Sequence, residues 1–175
     1  QYSLDGTTWT DEIPSITGVG SVSYQVKATN ANYEDATASG TLTVSAKAVT
    51  ITVADASKVY GEADPTFTGT VEGLVAEGDL GTISYSREGS DANVGTYPDV
   101  LTANYTANDN YTVTVNKGDF EITKATMTVS AANYNAAYDG AKHEGGATPS
   151  VTEGTTIQYS LDGTTWTDEI PSITG

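Results

Sequence analysis

The sequence contains no cysteine and a single histidine, His143. Because disulfides, thiolate zinc sites and cysteine nucleophiles all need a thiol, these three classes are excluded, and one imidazole provides no histidine pair for a metal. Lysine and arginine number only 7 against 23 acidic residues, which gives a formal net charge of −16. Nucleic-acid binders need a basic surface, so we expect no nucleic-acid partner.

Long apolar runs and catalytic motifs are also missing. No run approaches the roughly 18 apolar residues of a membrane-spanning helix, so we expect no membrane insertion in this segment. A Gly-x-Ser-x-Gly elbow and a phosphate-binding loop are absent, and no pair of carboxylates is distinguished among the 23 acidic residues. We therefore expect that the chain is not an enzyme.

The residues that are abundant favour β-structure. Hydrophobic residues make up only 37% of the chain, but 11 tyrosines and many threonines and valines suit half-buried strands. Apolar and polar residues alternate with a period of two in six segments, which predicts six strands. These segments are residues 49–54, 66–71, 82–86, 96–105, 111–115 and 119–123. A short helical turn is predicted only at residues 74–80.

The chain repeats itself at two levels. Residues 1–18 recur letter for letter at 158–175, a period of 157 residues. An older repeat has an offset of 78 residues, which places Ile51 on Val129 and Asn32-Tyr33 on Asn110-Tyr111. Such a hierarchy is typical of a polymer of modules whose stability depends on neighbouring modules.

The repeats divide the chain into three parts. Residues 48–125 form one complete module, which we call YGE-type after Tyr60-Gly61-Glu62. Residues 1–47 are the C-terminal part of a second type, called YDG-type after Tyr138-Asp139-Gly140, and residues 126–175 are the N-terminal part of the next YDG-type module. Only a Lys-Ala pair separates consecutive modules, so we expect stiff joints in an elongated rod, with roughly 30 Å per module.

Short strands at this spacing predict an all-β fold of tandem small β-sandwich (Ig-like) modules, with β-grasp-like modules as the alternative. The Asp162-Gly163 pair between residues 157–161 and 164–166 predicts a two-residue type I′ hairpin, repeated at Asp5-Gly6. The predicted core of the complete module consists of Ile51, Phe67, Ile83, Tyr97, Leu101, Tyr111, Phe120 and Ile122.

The complete module resembles a known family in four segments: YGEADP, GLVAEGD, NVGTY and NYTVTVNKGDFEITKA. In this order and spacing they are similar to the bacterial surface repeat called the MBG domain of YGX type. The YDG-type module resembles a diverged relative that lacks the Asp-Pro pair. The resemblance implies tandem arrays in large secreted or wall-attached bacterial proteins, often described as adhesins, and hence an extracellular or cell-surface location. It brings no catalytic residue.

Candidate ligand-binding residues lie around the two Asp-Gly pairs. Trp9 and Trp166 follow Asp5-Gly6 and Asp162-Gly163, where an exposed indole could stack on a sugar. Packing of each tryptophan against a tyrosine on the adjoining strand, Tyr2 or Tyr159, is the favoured structural interpretation.

Two acidic clusters are candidate Ca²⁺ ligands, but no Asp-x-Asp-x-Asp-Gly loop is present, so the sequence favours solvated surface charge and no cofactor. The clusters are Asp55 with Glu62 and Asp64, and Asp109 with Asn108 and Asn110. Three lysines on or near strands, Lys27, Lys58 and Lys124, are candidates for an isopeptide crosslink to asparagine, which would need a buried acid beside the pair. His143 is expected in an exposed turn.

Four repeated tyrosines favour structural roles. Tyr33 and Tyr111 precede the last strand at equivalent places, and Tyr60 and Tyr138 follow the first. A tyrosine hydroxyl that tethers a loop is common in sandwiches, so we expect core and corner roles for all four.

The sequence supports two functional hypotheses. The first is a structural repeat segment of a bacterial extracellular stalk or filament, in which neighbouring copies complete the partial modules head to tail. The alternative is an adhesin repeat that binds host glycans or mucin by avidity, through Trp9, Trp166 and the adjacent Asp5 and Asp162.

Overall fold

A computed structural model describes residues 1–174, and all of its regular elements are β-strands. The strands are β1 (Tyr2–Ser3), β2 (Gly20–Asn30), β3 (Tyr33–Val44), β4 (Lys47–Val53), β5 (Ala56–Val59), β6 (Gly69–Glu72), β7 (Ser84–Arg87), β8 (Gly95–Asn104), β9 (Tyr111–Asn116), β10 (Gly118–Thr123), β11 (Val129–Ala131), β12 (Lys142–Glu144), β13 (Ala147–Pro149) and β14 (Ser172–Thr174). They belong to two compact units, Gln1–Thr123 and Lys124–Gly175. None of the described residues forms a helix that is long and apolar enough to cross a membrane.

The complete module is a sandwich of two sheets. One sheet has the order β6-β4-β9 and the other the order β5-β10-β8-β7. Two of the pairings are parallel, β4 with β9 and β10 with β5, and the others are antiparallel. The all-β fold is therefore confirmed, and the module has the two facing sheets of a sandwich and not a single grasp-like sheet.

The core of the module lies between these sheets. Val49, Ile51 and Val53 of β4 are buried and pack in one cluster with Phe120 and Ile122 of β10, because alternate residues of a strand point to the same face. Four of the eight predicted core residues are completely buried, and the other four are half-buried against them. The core also includes Val49, Val53, Leu80 and Ala103, which the sequence analysis did not select.

All six strands predicted for the complete module are present, but one further strand was missed. Strand β5 lies at the edge of its sheet and pairs in parallel with β10, so that Ala56 lies opposite Phe120. Its four residues, Ala-Ser-Lys-Val, carry too little apolar alternation to indicate a strand. Residues 77–80 form hydrogen-bonded turns, and none of residues 74–80 is helical.

The predicted two-residue hairpin at Asp162-Gly163 is wrong. A single bridge between Tyr159 and Thr167 joins its flanks, so the loop spans residues 160–166. Gly163 has a φ of 74°, but among the described non-glycine residues only Asp99 has a positive φ. A type I′ turn requires a positive φ at both central positions, and Asp162 does not adopt it.

The N-terminal half of the YDG-type module repeats the pairing of the complete module. Ile51 lies opposite Val71 between β4 and β6. The equivalent positions in the 78-residue repeat, Val129 and Pro149, lie opposite each other between β11 and β13. The hydrogen bonding that defines this strand pair is therefore preserved although the sequences have diverged.

The C-terminal half of the YDG-type module also repeats a pairing of the complete module. Phe120 lies opposite Tyr97 between β10 and β8. Leu42 lies opposite Val22 between β3 and β2. The repeat aligns Leu42 with Phe120 and Val22 with Tyr97. Residues 1–47 and residues 126–149 thus each carry a strand pair of the sandwich seen whole in residues 48–123.

We predict a contrast between two equivalent positions, Ile51 and Val129. Ile51 is completely buried, so Ile51→Ala should lower the free energy of unfolding of the complete module by about 2–5 kcal/mol. Val129 is 64% exposed, so Val129→Ala should change the free energy of unfolding of the complete module by less than about 0.5 kcal/mol. Both phenylalanines, Phe67 and Phe120, lie in the complete module, so their ring resonances report its unfolding in urea. Equal losses in the two variants would contradict the assigned core.

Candidate functional site

The loop after β1 is organised around the carboxylate of Asp5. Its Oδ1 accepts hydrogen bonds from the backbone N–H groups of Thr7 and Thr8, both at 2.7 Å. The same oxygen accepts the Ser3 hydroxyl at 3.0 Å, and Oδ2 accepts the Thr8 hydroxyl at 2.8 Å. Asp5 therefore caps its own loop, as short acidic side chains do in turns.

The second copy of the loop has the same hydrogen bonds. Asp162 Oδ1 accepts the backbone N–H groups of Thr164 at 2.8 Å and Thr165 at 2.7 Å. These backbone donors hold the pKa values of Asp5 and Asp162 well below the usual range of an aspartate, because they stabilise the charged form. Both predicted ligand residues thus already use their oxygens within the loop.

Each loop borders a shallow cavity. The cavity beside Asp162 has a volume of about 440 Å³, with Tyr159 and Glu169 in its lining. The corresponding cavity beside Asp5 has about 380 Å³. Neither Trp9 nor Trp166 lines these cavities, so the structure does not combine the tryptophans with the aspartates in one cavity.

The two tryptophans differ in exposure, and within residues 1–174 only the strand before the first of them pairs with β2. Trp166 is 58% exposed, whereas Trp9 is half-buried. In the first copy Tyr2 pairs with Val26 of β2, and the Tyr2 ring lies 6.5 Å from that of Tyr24. Trp166 is thus the more exposed of the two indoles, and glycan binding at this loop stays a prediction.

The acidic cluster near the YGEADP motif forms ion pairs. Asp64 binds Lys58 Nζ at 2.7 Å and Arg87 Nε at 2.8 Å. The Lys58 hydrogen bond, supported by Arg87, lowers the pKa of Asp64. Among residues 1–174, no three histidine or acidic side chains gather in a way that could hold a metal ion. The Asp64 carboxylate is occupied by these two cations.

Arg87 connects this motif to the core. Its guanidinium carbon lies 4.8 Å from the centre of the Phe120 ring, in cation–π geometry. Its side chain is only 11% exposed, and Nη1 donates to the Asp91 carbonyl at 2.7 Å. Asp64 of the motif therefore fastens its loop to the face of the sandwich, which is a structural role.

The second Ca²⁺ candidate region and two of the crosslink candidates also have other partners. Asn108 Oδ1 accepts the N–H of Asn110 at 3.0 Å, and Asn108 Nδ2 donates to the Asp79 carbonyl at 3.0 Å. Lys27 pairs with the Asp35 carboxylate at 2.9 Å, and Lys58 pairs with Asp64. These two lysines face carboxylates rather than the asparagine that the proposed crosslink needs.

His143 does not lie in an exposed turn, so that prediction is wrong. It belongs to β12, opposite Ile173 of β14, and is half-buried. Its Nε2 lies 2.9 Å from Asp139 Oδ1, and its ring stacks on that of Tyr134 with centroids 4.0 Å apart. The histidine is part of a small polar cluster at a strand edge.

The predicted loop tether is confirmed for Tyr111. Its hydroxyl donates to the Asp79 carboxylate and accepts the Val75 N–H at 3.0 Å, and the Asp79 hydrogen bond raises the pKa of Tyr111. Tyr60 of the same module is 51% exposed, so the core role predicted for it is wrong. Tyr33 and Tyr138 of the partial modules are 77% and 85% exposed. Sequence position alone did not separate the tethered tyrosine from the exposed ones.

We predict that Asp64→Asn lowers the free energy of unfolding of the complete module by about 1–3 kcal/mol at pH 7, because charged hydrogen bonds to Lys58 and Arg87 are lost. The lowered pKa of Asp64 means that this stabilisation is present above about pH 4 and is lost as the pH falls further. Glu121→Gln, on an exposed position of β10, is the matched control. An Asp64 variant as stable as that control would refute the tether.

We also predict that Asp5 and Asp162 titrate together, below the range of about pH 4 that is usual for aspartate. Their lowered pKa values arise inside each loop, so the two copies should behave alike despite their different surroundings. Carboxyl carbon shifts in an NMR pH titration measure both groups. The loop contacts should weaken only as the pH falls through these low pKa values. Ordinary titration of either group would show that its cap does not form.

Comparison with known proteins identifies one part of the chain. Residues 49–121 match the family model described as the MBG domain (YGX type). No curated protein and no solved structure matches the chain significantly. The matched residues run from β4 into β10 and therefore cover the two-sheet sandwich. Residues 49–121 are thus similar to an MBG domain of the YGX type.

Proposed function

We propose that this chain is a structural repeat segment of a bacterial extracellular surface stalk or filament, whose partial modules are completed by neighbouring copies of the same period. The MBG domain supports the first part, since this family suggests a repeat domain of surface proteins. The 157-residue repeat supports the second, because it supplies the missing half of each YDG-type module.

The observation that carries this proposal is a reversal of exposure at equivalent positions. Val49 and Ile51 are 1% and 0% exposed in the complete module. Their equivalents 78 residues later are Met127, just before β11, and Val129, within it. They are 51% and 64% exposed, although the pairing of Val129 is preserved. An apolar strand face of this kind is stable only when a second layer covers it.

Residues 1–47 offer the layer that would cover this face. Val22 and Leu42 lie opposite each other on one face of the β2–β3 hairpin, and both are half-buried. Their equivalents in the complete module, Tyr97 and Phe120, contribute to the core, and Phe120 is completely buried. Residues 126–157 of one copy and 1–47 of the next therefore bring together the two layers of one sandwich.

The duplicated 18-residue segment gives independent support. Ser172–Thr174 pair with Lys142–Glu144, as strands β14 and β12. The identical residues 15–17 form no strand in the described chain. A neighbouring copy of the chain would supply its residues 142–144 as the strand partner of residues 15–17. Both occurrences of the 18-residue segment would then form the same strand pair.

A two-period chain, residues 1–157 followed by 1–175, tests this proposal. It contains one internal YDG-type module, and the natural sequence has no cysteine, so a single Val129→Cys thiol reports its own exposure to a maleimide. We expect the thiol in the first period to be at least roughly tenfold less reactive than the same substitution in the second period, because only the first has a covering layer.

The second-period variant is the matched control, and Ile51→Cys provides the fully buried reference. Equal reactivity of the two Val129→Cys thiols would refute completion by neighbouring copies. Small-angle X-ray scattering on chains of increasing period number tests the stalk: we expect the maximum dimension to grow by about 60 Å per period. A dimension that levels off would refute a linear stalk.

A further inference from the structure

Asn110 holds the joint between the first partial module and the complete module. Its side-chain Oδ1 accepts the N–H of Val19, at the entry to β2, at 2.9 Å. Its backbone carbonyl accepts the N–H of Lys47, the first residue of β4, at 2.9 Å. Asn110 of the complete module therefore binds Val19 of the preceding partial module. It also binds Lys47, at the start of the strand that connects the two modules.

Asn110 is itself fixed by the module to which it belongs. Its N–H donates to Asn108 Oδ1 at 3.0 Å, and Asn108 Nδ2 donates to the Asp79 carbonyl at 3.0 Å. The hydroxyl of the next residue, Tyr111, donates to the Asp79 carboxylate. A continuous set of hydrogen bonds thus runs from the loop of residues 75–79 to the joint.

The same Asn-x-Asn-Tyr segment occurs in the YDG-type module, at Asn30-Ala31-Asn32-Tyr33. Its turn has the same geometry, because the Asn32 N–H donates to Asn30 Oδ1 at 2.9 Å. Within the described residues, however, the Asn32 side chain makes no hydrogen bond, and Tyr33 is 77% exposed. The segment therefore has the same turn hydrogen bond as the Asn110 segment, but within residues 1–174 Asn32 lacks a hydrogen-bond partner equivalent to Val19.

We infer that the Asn-x-Asn-Tyr segment is a lock by which each module fastens onto the module before it, so that Asn32 binds the Val94 N–H of a preceding copy of this chain. Val94-Gly95 precedes β8 as Val19-Gly20 precedes β2, and both valines are similarly exposed, at 45% and 41%. The Asn32 part of this inference rests on the proposed completion of YDG-type modules.

The lock acts on the angle between modules. Only Ser45 and Ala46 separate β3 from β4, but a covalent link of two residues still permits rotation about its backbone dihedrals. The Val19 contact adds a second attachment away from the link, and two attachment points restrict both bending and twisting. A lock at every joint would make stiffness a property of the whole array.

The existing joint is tested first in the 175-residue chain. Asn110→Ala removes the Oδ1 acceptor but leaves the backbone carbonyl and the Asn108 turn in place. We expect the Val19 amide to exchange roughly 2- to 10-fold faster with solvent, as the loss of one hydrogen bond implies. Residual dipolar couplings should show the β2–β3 hairpin reorienting more freely relative to the β4–β10 sandwich.

Two variants control this experiment. Asn110→Asp keeps an acceptor oxygen and should retain the slow exchange of the Val19 amide. Asn32→Ala changes the equivalent residue, whose side chain makes no hydrogen bond in the described part of the chain, and should alter neither measurement. If Asn110→Ala leaves both the Val19 exchange and the couplings at their original values, the lock is refuted.

The repeated lock is tested in the two-period chain. Asn32→Ala in the second period should accelerate exchange of the Val94 amide in the first period roughly 2- to 10-fold, with no change at Val19. Unchanged Val94 exchange, in a chain whose first-period Val129→Cys thiol is protected, would refute the lock at this joint and retain the proposed function. An unprotected thiol would instead refute the completion on which this joint depends.

Discussion

The requirement that each sheet cover its apolar face with another sheet determines most features of this molecule. In residues 48–123 the apolar residues of β4 pack in one cluster with those of β8 and β10, and the central side chains are removed from water. Burial of a single isoleucine or phenylalanine is worth about 1.5–3 kcal/mol, so a small sandwich depends on having both layers. A layer alone retains its hydrogen-bonded ladder but leaves its apolar side uncovered, as Val129 of β11 shows.

Polar contacts then decide where the loops lie on this sandwich. Asp64 reaches Lys58 and Arg87, and Arg87 covers the Phe120 ring, so the most recognisable motif of the module serves to close one side of the core. Tyr111 fastens another loop through Asp79. The carboxylates of Asp64 and Asp79 are thus engaged with donors of the protein.

Hydrogen bonds also hold one module to the next at the joint. Asn110 connects the entry of β2 and the start of β4, and its own turn recurs 78 residues earlier at Asn32. The proposed stalk would need modules that are stable and joints that resist rotation. Hydrogen bonds such as those of Asn110, together with the layers that neighbouring copies are proposed to supply, would provide both properties. The acidic surface would keep separate stalks apart by charge repulsion at low ionic strength.

The sequence by itself determined the repeats on which the predicted modular plan depends, because identical or equivalent letters at offsets of 157 and 78 residues are visible without coordinates. Period-two alternation also determined six strands and half of the buried core, since burial of one strand face leaves this pattern. It did not indicate β5, whose four residues owe their strand to the neighbouring β10.

Only the tertiary structure decided the parallel pairing of β4 with β9, which joins residues about 64 positions apart, such as Ile51 and Val115. It likewise decided that Asp5 caps its own loop and that Asn110 reaches Val19, 91 positions away. The physical reason is that a local pattern records which side of a strand is buried. The partner of a hydrogen-bonding group depends instead on which distant segments the packed layers bring within 3 Å or so of one another.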